Sequence, residues 1–199
     1  LPLAFVSAVL AIALAALLVF GLTACGGTIE KAEGKNGGAG IGSGYYGRSS
    51  TVNISGDAEL KDVRGGNLAA GIGSGYGSDK VDVVIDGGTI NATGGDSAAG
   101  IGSGLNSRSS VTIKSGTVNA KGNQHSNSGS SGIGGSYADV TISGGTISGC
   151  TGLRGGGLYA NNSTIKITGG RIENNKAAHG GGVALIGVTL IPLLSGLLG

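Results

Sequence analysis

The sequence predicts an all-β solenoid, a single-stranded parallel β-helix of about six coils with three short strands in each. Three observations predict it. Short motifs recur along the chain in a fixed cyclic order. Glycine supplies 45 of 199 residues but does not recur at every third position, which excludes a collagen helix. Proline is absent from residue 3 to residue 191, as expected when nearly every N–H joins a ladder between coils. So many glycines also argue against a helical domain, since each interior one costs about 1 kcal/mol. Few Lys, Glu, Gln and Pro argue against an ordinary disordered tail. The net charge is +2, with no basic stretch and no interleaved aromatics, so no nucleic-acid partner is expected.

The first motif is Gly40-Ile41-Gly42-Ser43-Gly44, repeated at 71–75 and 100–104 and altered at Gly132-Ile133-Gly134-Gly135. Its central isoleucines, Ile41, Ile72, Ile101 and Ile133, stand 31, 29 and 32 residues apart, and Leu158 and Val183 come next at intervals of 25. The second motif is Gly-Gly-Thr-Ile, seen at 26–29, 87–90 and 144–147, with variants at 115–118 and 169–172. The third is an alternating Val-x-Ile, as in Val52-Asn53-Ile54 and Val111-Thr112-Ile113, which sends two side chains inward and one outward. Three inward columns result. They are Ile29, Leu60, Ile90, Val118, Ile147 and Ile172; Ile41, Ile72, Ile101, Ile133, Leu158 and Val183; and Ile54, Ile85, Ile113, Ile142, Ile167 and Leu190. Each buried side chain contributes roughly 1.5–3 kcal/mol, and stability comes from stacking because no coil closes a core alone. Six coils at about 4.8 Å make a rod about 29 Å long.

Both ends are uncharged; all 13 Lys and Arg and all 11 Asp and Glu lie between Glu30 and Lys176. This divides the chain into residues 1–25, a signal or membrane anchor; 26–182, the repeat; and 183–199, an apolar last coil and cap or a membrane-associated tail. Residues 1–24, as an apolar helix, are long enough to cross a hydrocarbon core of about 30 Å. Leu22-Thr23-Ala24-Cys25-Gly26 resembles the lipobox of bacterial lipoproteins. That resemblance implies acylation of Cys25 through its sulfur and export of the repeat domain. An uncleaved anchor and a buried helix are the alternatives. Cys150 is the only other cysteine, which excludes a disulfide scaffold, and it reads as a small buried apolar residue.

Gly155-Gly156-Gly157-Leu158, Gly180-Gly181-Gly182-Val183, Asn161-Asn162 and Asn174-Asn175, together with the Gly-Gly-Thr-Ile units, are similar to right-handed β-helix repeats of bacterial surface proteins such as adhesins and autotransporter passenger domains. The resemblance spans roughly residues 26–190. It implies right-handed coiling and a structural or adhesive role at the cell surface, with a polysaccharide or host-surface partner.

No catalytic, cofactor or metal site is expected. Gly42-Ser43-Gly44-Tyr45-Tyr46-Gly47 matches GxGxxG in form only, because a strand approach comes after it rather than a helix. The competing function is a carbohydrate-active β-helix enzyme of lyase or hydrolase type. Such enzymes gather carboxylates across neighbouring coils, whereas here Asp79, Asp82 and Asp86 have only Arg108 and Lys114 one coil away. His125 and His179 lack a second ligand at metal spacing. The outward set Asn53, Val84, Thr112, Thr141 and Lys166 is too irregular for an ice-binding array. The remaining candidates are aromatic. Tyr45, Tyr76 and Tyr137 come directly after the first motif, with Leu105 in the third coil and Tyr46 adjoining. Such rings either stack on sugar faces or pack on one another. Arg48 and Arg108 occupy similar places after the motif and could hydrogen-bond a glycan.

Overall fold

A computed structural model describes residues 22–25, 27–123, 130–187 and 189–192. Every regular element among them is a strand, and every strand pair is parallel. The result is a parallel β-solenoid of the right-handed type, with one sheet of short rungs and one larger sheet. The helix expected in residues 1–24 lies outside the described residues up to residue 21. The backbone of Leu22–Cys25 forms a strand on the first coil, pairing Leu22 with Val52 and Cys25 with Ser55. No helix of the described residues is long and apolar enough to cross a membrane.

The smaller sheet is built from the first motif. Ile41 pairs with Ile72, Ile72 with Ile101, Ile101 with Ile133, Ile133 with Leu158, and Leu158 with Val183. Six such rungs bound about five turns, so the six repeats expected as six coils close five. The column from Ile29 through Leu60, Ile90, Val118 and Ile147 to Ile172 also stacks in register. The third column holds as far as Ile167, but there Pro192 takes the next place and Leu190 sits on Ile165. Thr189-Leu190-Ile191-Pro192 alternates with a period of two, so the same apolar pattern fits either register, and the ladder decides. Pro192 lies on the last strand of the larger sheet, where no further described strand needs its missing N–H.

The expected three short strands of a coil stand separately in the later turns, as Ile133–Ser136, Ala138–Ile142 and Thr146–Ser148, and a fourth strand outside the three motifs, Thr151–Arg154, completes the coil. In earlier turns the last two expected segments merge into single bent strands, Ser50–Arg64, Val81–Thr93 and Ser109–Lys121. The first of these carries one extra residue before Leu60 and one before Val63, and the register slips at both places.

The isoleucine rungs are fully buried from Ile72 to Ile147. A further inward column runs Ala32, Val63, Ala92 and Ala120. Next to Ala120 the core closes on buried Cys150, whose Sγ accepts the Ala120 N–H at 3.2 Å. Asn175 ties the following coil to this corner. Its Oδ1 accepts the Cys150 N–H at 2.9 Å and its Nδ2 donates to the Ile147 carbonyl at 3.1 Å.

The second glycine of the first motif is required by the stacking itself. Gly73 has φ +129°, and a Cβ there would lie 2.2 Å from the Gly102 carbonyl oxygen of the next coil. Gly42 and Gly102 stand in the same conformation against their own neighbours. Coils are about 4.8 Å apart, which leaves no room for a side chain pointing along the axis. The serine after that glycine is interior: Ser43, Ser74 and Ser103 are all buried.

Candidate functional site

Those interior serines hold the loops that carry the aromatic candidates. The Ser43 hydroxyl donates to Ser78 Oγ at 2.8 Å and accepts the Gly75 N–H at 2.9 Å, so one coil grips the loop of the next. Ser78 Oγ in turn donates to the Gly75 carbonyl at 3.0 Å. Buried hydroxyls satisfied in this way fix Tyr76 and, one coil before, Tyr45 and Tyr46.

Tyr45, Tyr46 and Tyr76 form one cluster. Tyr45 and Tyr76 stack with centroids 5.3 Å apart and planes at 23°. Tyr46 meets Tyr45 edge-on at 4.5 Å and Tyr76 at 5.6 Å. Tyr45 and Tyr46 remain 57% and 62% exposed, while Tyr76 is half-buried. Tyr46 has φ +47°, in a column of left-handed residues that continues with Gly77 and Asn106. A bulky residue there costs free energy that a glycine would not. Hydrogen bonding to Tyr45 and then to Tyr76 raises the Tyr46 phenol above its ordinary pKa.

Tyr137 stands apart from these rings. Its own contact is with Arg108, whose guanidinium carbon lies 5.9 Å from the ring centroid. The separation has a countable cause: Ile133 to Val140 is a shorter stretch than Ile72 to Val83, so the loop that carries Tyr137 is pulled in. Ser50, Val81 and Ser109 share a rung, which sets Arg108 level with Lys80 rather than with Arg48. Arg48 is exposed, two residues beyond Tyr46.

The acidic candidates are dispersed into surface pairs. Asp82 meets Lys80 at 3.1 Å, and Asp86 meets Lys114 at 3.8 Å and accepts from Ser115 Oγ at 3.0 Å. Asp79 is exposed. No group of three or more His, Cys, Asp or Glu gathers among the described residues. His179 is exposed on the last turns, and His125 lies outside the described residues. Burial pushes the Cys150 thiol up to about 11, far from a nucleophile's range. The side chain of Cys25 is not among those described; its backbone ends the first strand.

A row of side chains that sequence reasoning passed over lies beside the rings. Asn36, Asn67, Asp96 and Asn123 line an open groove of about 430 Å³ on four successive coils. In the sequence each sits in a Gly-rich corner and reads as turn chemistry. The one signal was the recurrence of Asn36, Asn67 and Asp96 four residues before Gly40, Gly71 and Gly100.

A family model described as a beta helix repeat matches residues 25–45, 83–105 and 111–137. Those segments are repeats of the first two motifs and the strands between them, and with the coordinates they support a β-helix repeat protein. No curated protein and no solved structure matches the chain.

Proposed function

We propose that this β-helix repeat protein is a non-catalytic binding module, exported and held at a bacterial cell surface, whose aromatic face contacts glycans or a host surface. The observation that carries the reading is the Tyr45–Tyr46–Tyr76 cluster: three rings from two coils, two of them more than half exposed, held in place by buried serines. Stacked aromatic faces suit the apolar faces of sugar rings, and a rigid solenoid presents them with little ordering cost. The dispersed, ion-paired carboxylates support binding over turnover. Arg108 over Tyr137 is a second polar–aromatic pair on a nearby loop.

Attachment runs through acylated Cys25 or through the apolar segment before it. Cleavage before Cys25 would remove the part of the first rung that pairs with Val52–Ile54. Mass spectrometry of the native N-terminus tests this part; an uncleaved, unmodified Cys25 excludes the lipid.

A glycan array probed with the full chain tests the binding. Binding that is lost in Tyr45→Ala and Tyr76→Ala supports the reading, and binding that survives both refutes the site. Specific turnover of any arrayed glycan overturns the non-catalytic assignment in favour of a carbohydrate-active enzyme.

A further inference from the structure

We infer that the groove lined by Asn36, Asn67, Asp96 and Asn123 is a second half of the same site, and that together with the tyrosines it takes a linear oligosaccharide lying along the solenoid axis. This rests on the glycan reading of the tyrosine cluster and extends it from a sugar face to a chain of sugars.

The two features are adjacent. The backbone of Gly37, next to Asn36, packs directly against the rings: a Cβ on it would lie 2.6 Å from Tyr45 Cδ2 and 3.2 Å from Tyr76 Cβ. The Tyr76 N–H donates to the Gly37 carbonyl at 2.8 Å, and one coil on the Leu105 N–H donates to the Leu68 carbonyl at 2.8 Å. Two rows therefore run side by side up the solenoid. One is Tyr45, Tyr76, Leu105; the other is Asn36, Asn67, Asp96, Asn123.

The chemistry of the second row suits hydroxyls. Asn offers both a donor and an acceptor, and the Asp96 carboxylate accepts strongly. Asp96 is already oriented, accepting from Asn123 Nδ2 at 2.6 Å. Glu33 and Lys35 add one charge of each sign to the lining. The floor is backbone, because Gly66 and Gly95 pack too tightly on the coil before them for a side chain: a Cβ on Gly95 would lie 1.9 Å from the Gly66 carbonyl oxygen. The glycine floor and the polar row repeat once per coil, at about 4.8 Å, and the rings of Tyr45 and Tyr76 stand beside the first two coils of it. A polymer of sugar rings joined end to end has a repeat of similar size and the same two kinds of surface, an apolar face and a hydroxyl edge. A single sugar on the tyrosines leaves this row unused.

The test is a length series, disaccharide to hexasaccharide, of β-1,4-linked glucose, β-1,4-linked N-acetylglucosamine and α-1,4-linked glucose, titrated calorimetrically into the full chain. Affinity for at least one series should rise with length. Asn67→Ala combined with Asp96→Ala should weaken its hexasaccharide by about tenfold while leaving its disaccharide unchanged. Tyr76→Ala should weaken both. All four groove side chains are at the surface, so these variants keep the core, and an unchanged circular dichroism spectrum confirms it. Affinity that ignores length, or a groove double variant with full hexasaccharide affinity, overturns the groove and leaves the tyrosine site standing. No binding in any series overturns both.

Discussion

Replacing Gly73 with alanine tests whether the repeat is dictated by coil-to-coil contact. Gly73 lies at φ +129°, and the added Cβ would fall 2.2 Å from the Gly102 carbonyl oxygen and 3.1 Å from its carbon. That oxygen accepts the Ser74 N–H at 2.9 Å, so the ladder must open where the methyl enters. A backbone conformation almost reserved for glycine costs about 1–3 kcal/mol. Relief of the overlap and loss of one or two rung hydrogen bonds add about 2 kcal/mol. The sum is about 3–5 kcal/mol. Gly44 of the same motif supplies the control: nothing lies within 4 Å of its Cβ position and its φ is ordinary. Gly44→Ala should stay within about 0.5 kcal/mol of the parent. Urea unfolding followed by circular dichroism reads both, with the transition of each variant compared at matched slope. Equal midpoints for the two variants would refute the steric account of the motif.

The remaining predictions concern the core and the Cys150 corner. Ile101→Ala, at a fully buried rung, should cost about 2–5 kcal/mol and Ile101→Val about 0.5–1.5, read as urea midpoints; parent-like stability of Ile101→Ala would contradict the rung packing. Asn175→Ala strands the Cys150 N–H and the Ile147 carbonyl and should cost about 1–3 kcal/mol, with Asn175→Asp, which keeps the acceptor, between it and the parent. In a Cys25→Ser chain, Cys150 should resist a thiol reagent at pH 8 and react fully in denaturant; rapid native reaction would place it outside the core. Its folded pKa of about 11 lies above the unfolded value of about 8.5. Its contribution to stability is therefore complete below about pH 8.5 and is lost as pH rises toward 11, a decline that Cys150→Ala should lack.

The hydrophobic ladders were legible in the sequence because each carries its own flanking marker. Ile41, Ile72 and Ile101 sit between glycines, and Ile29, Ile90 and Ile147 come after Gly-Gly-Thr, so alignment leaves no freedom. Leu190 has no such marker, and only the pairing of Thr164–Ile167 with Thr189–Pro192 fixes its place. Serine chemistry was not legible. Ser43 and Ser74 look like turn residues, and their burial shows only when the next coil supplies Ser78, the Gly75 amide or the Arg108 carbonyl. At the surface, the repeat spacing was enough to bring Tyr45 and Tyr76 together, but the shortened loop at Tyr137 broke the expected column. The Asn and Asp row escaped notice because each member is locally ordinary; it becomes a surface only when four coils are stacked.

The stacking itself is tested most directly by nuclear Overhauser contacts in a chain with methyl-labelled isoleucine. Ile72 should show methyl cross-peaks to both Ile41 and Ile101, residues 31 and 29 positions away in the chain. Assigned methyls of Ile72 with no cross-peak to either partner would contradict the solenoid and every surface built on it.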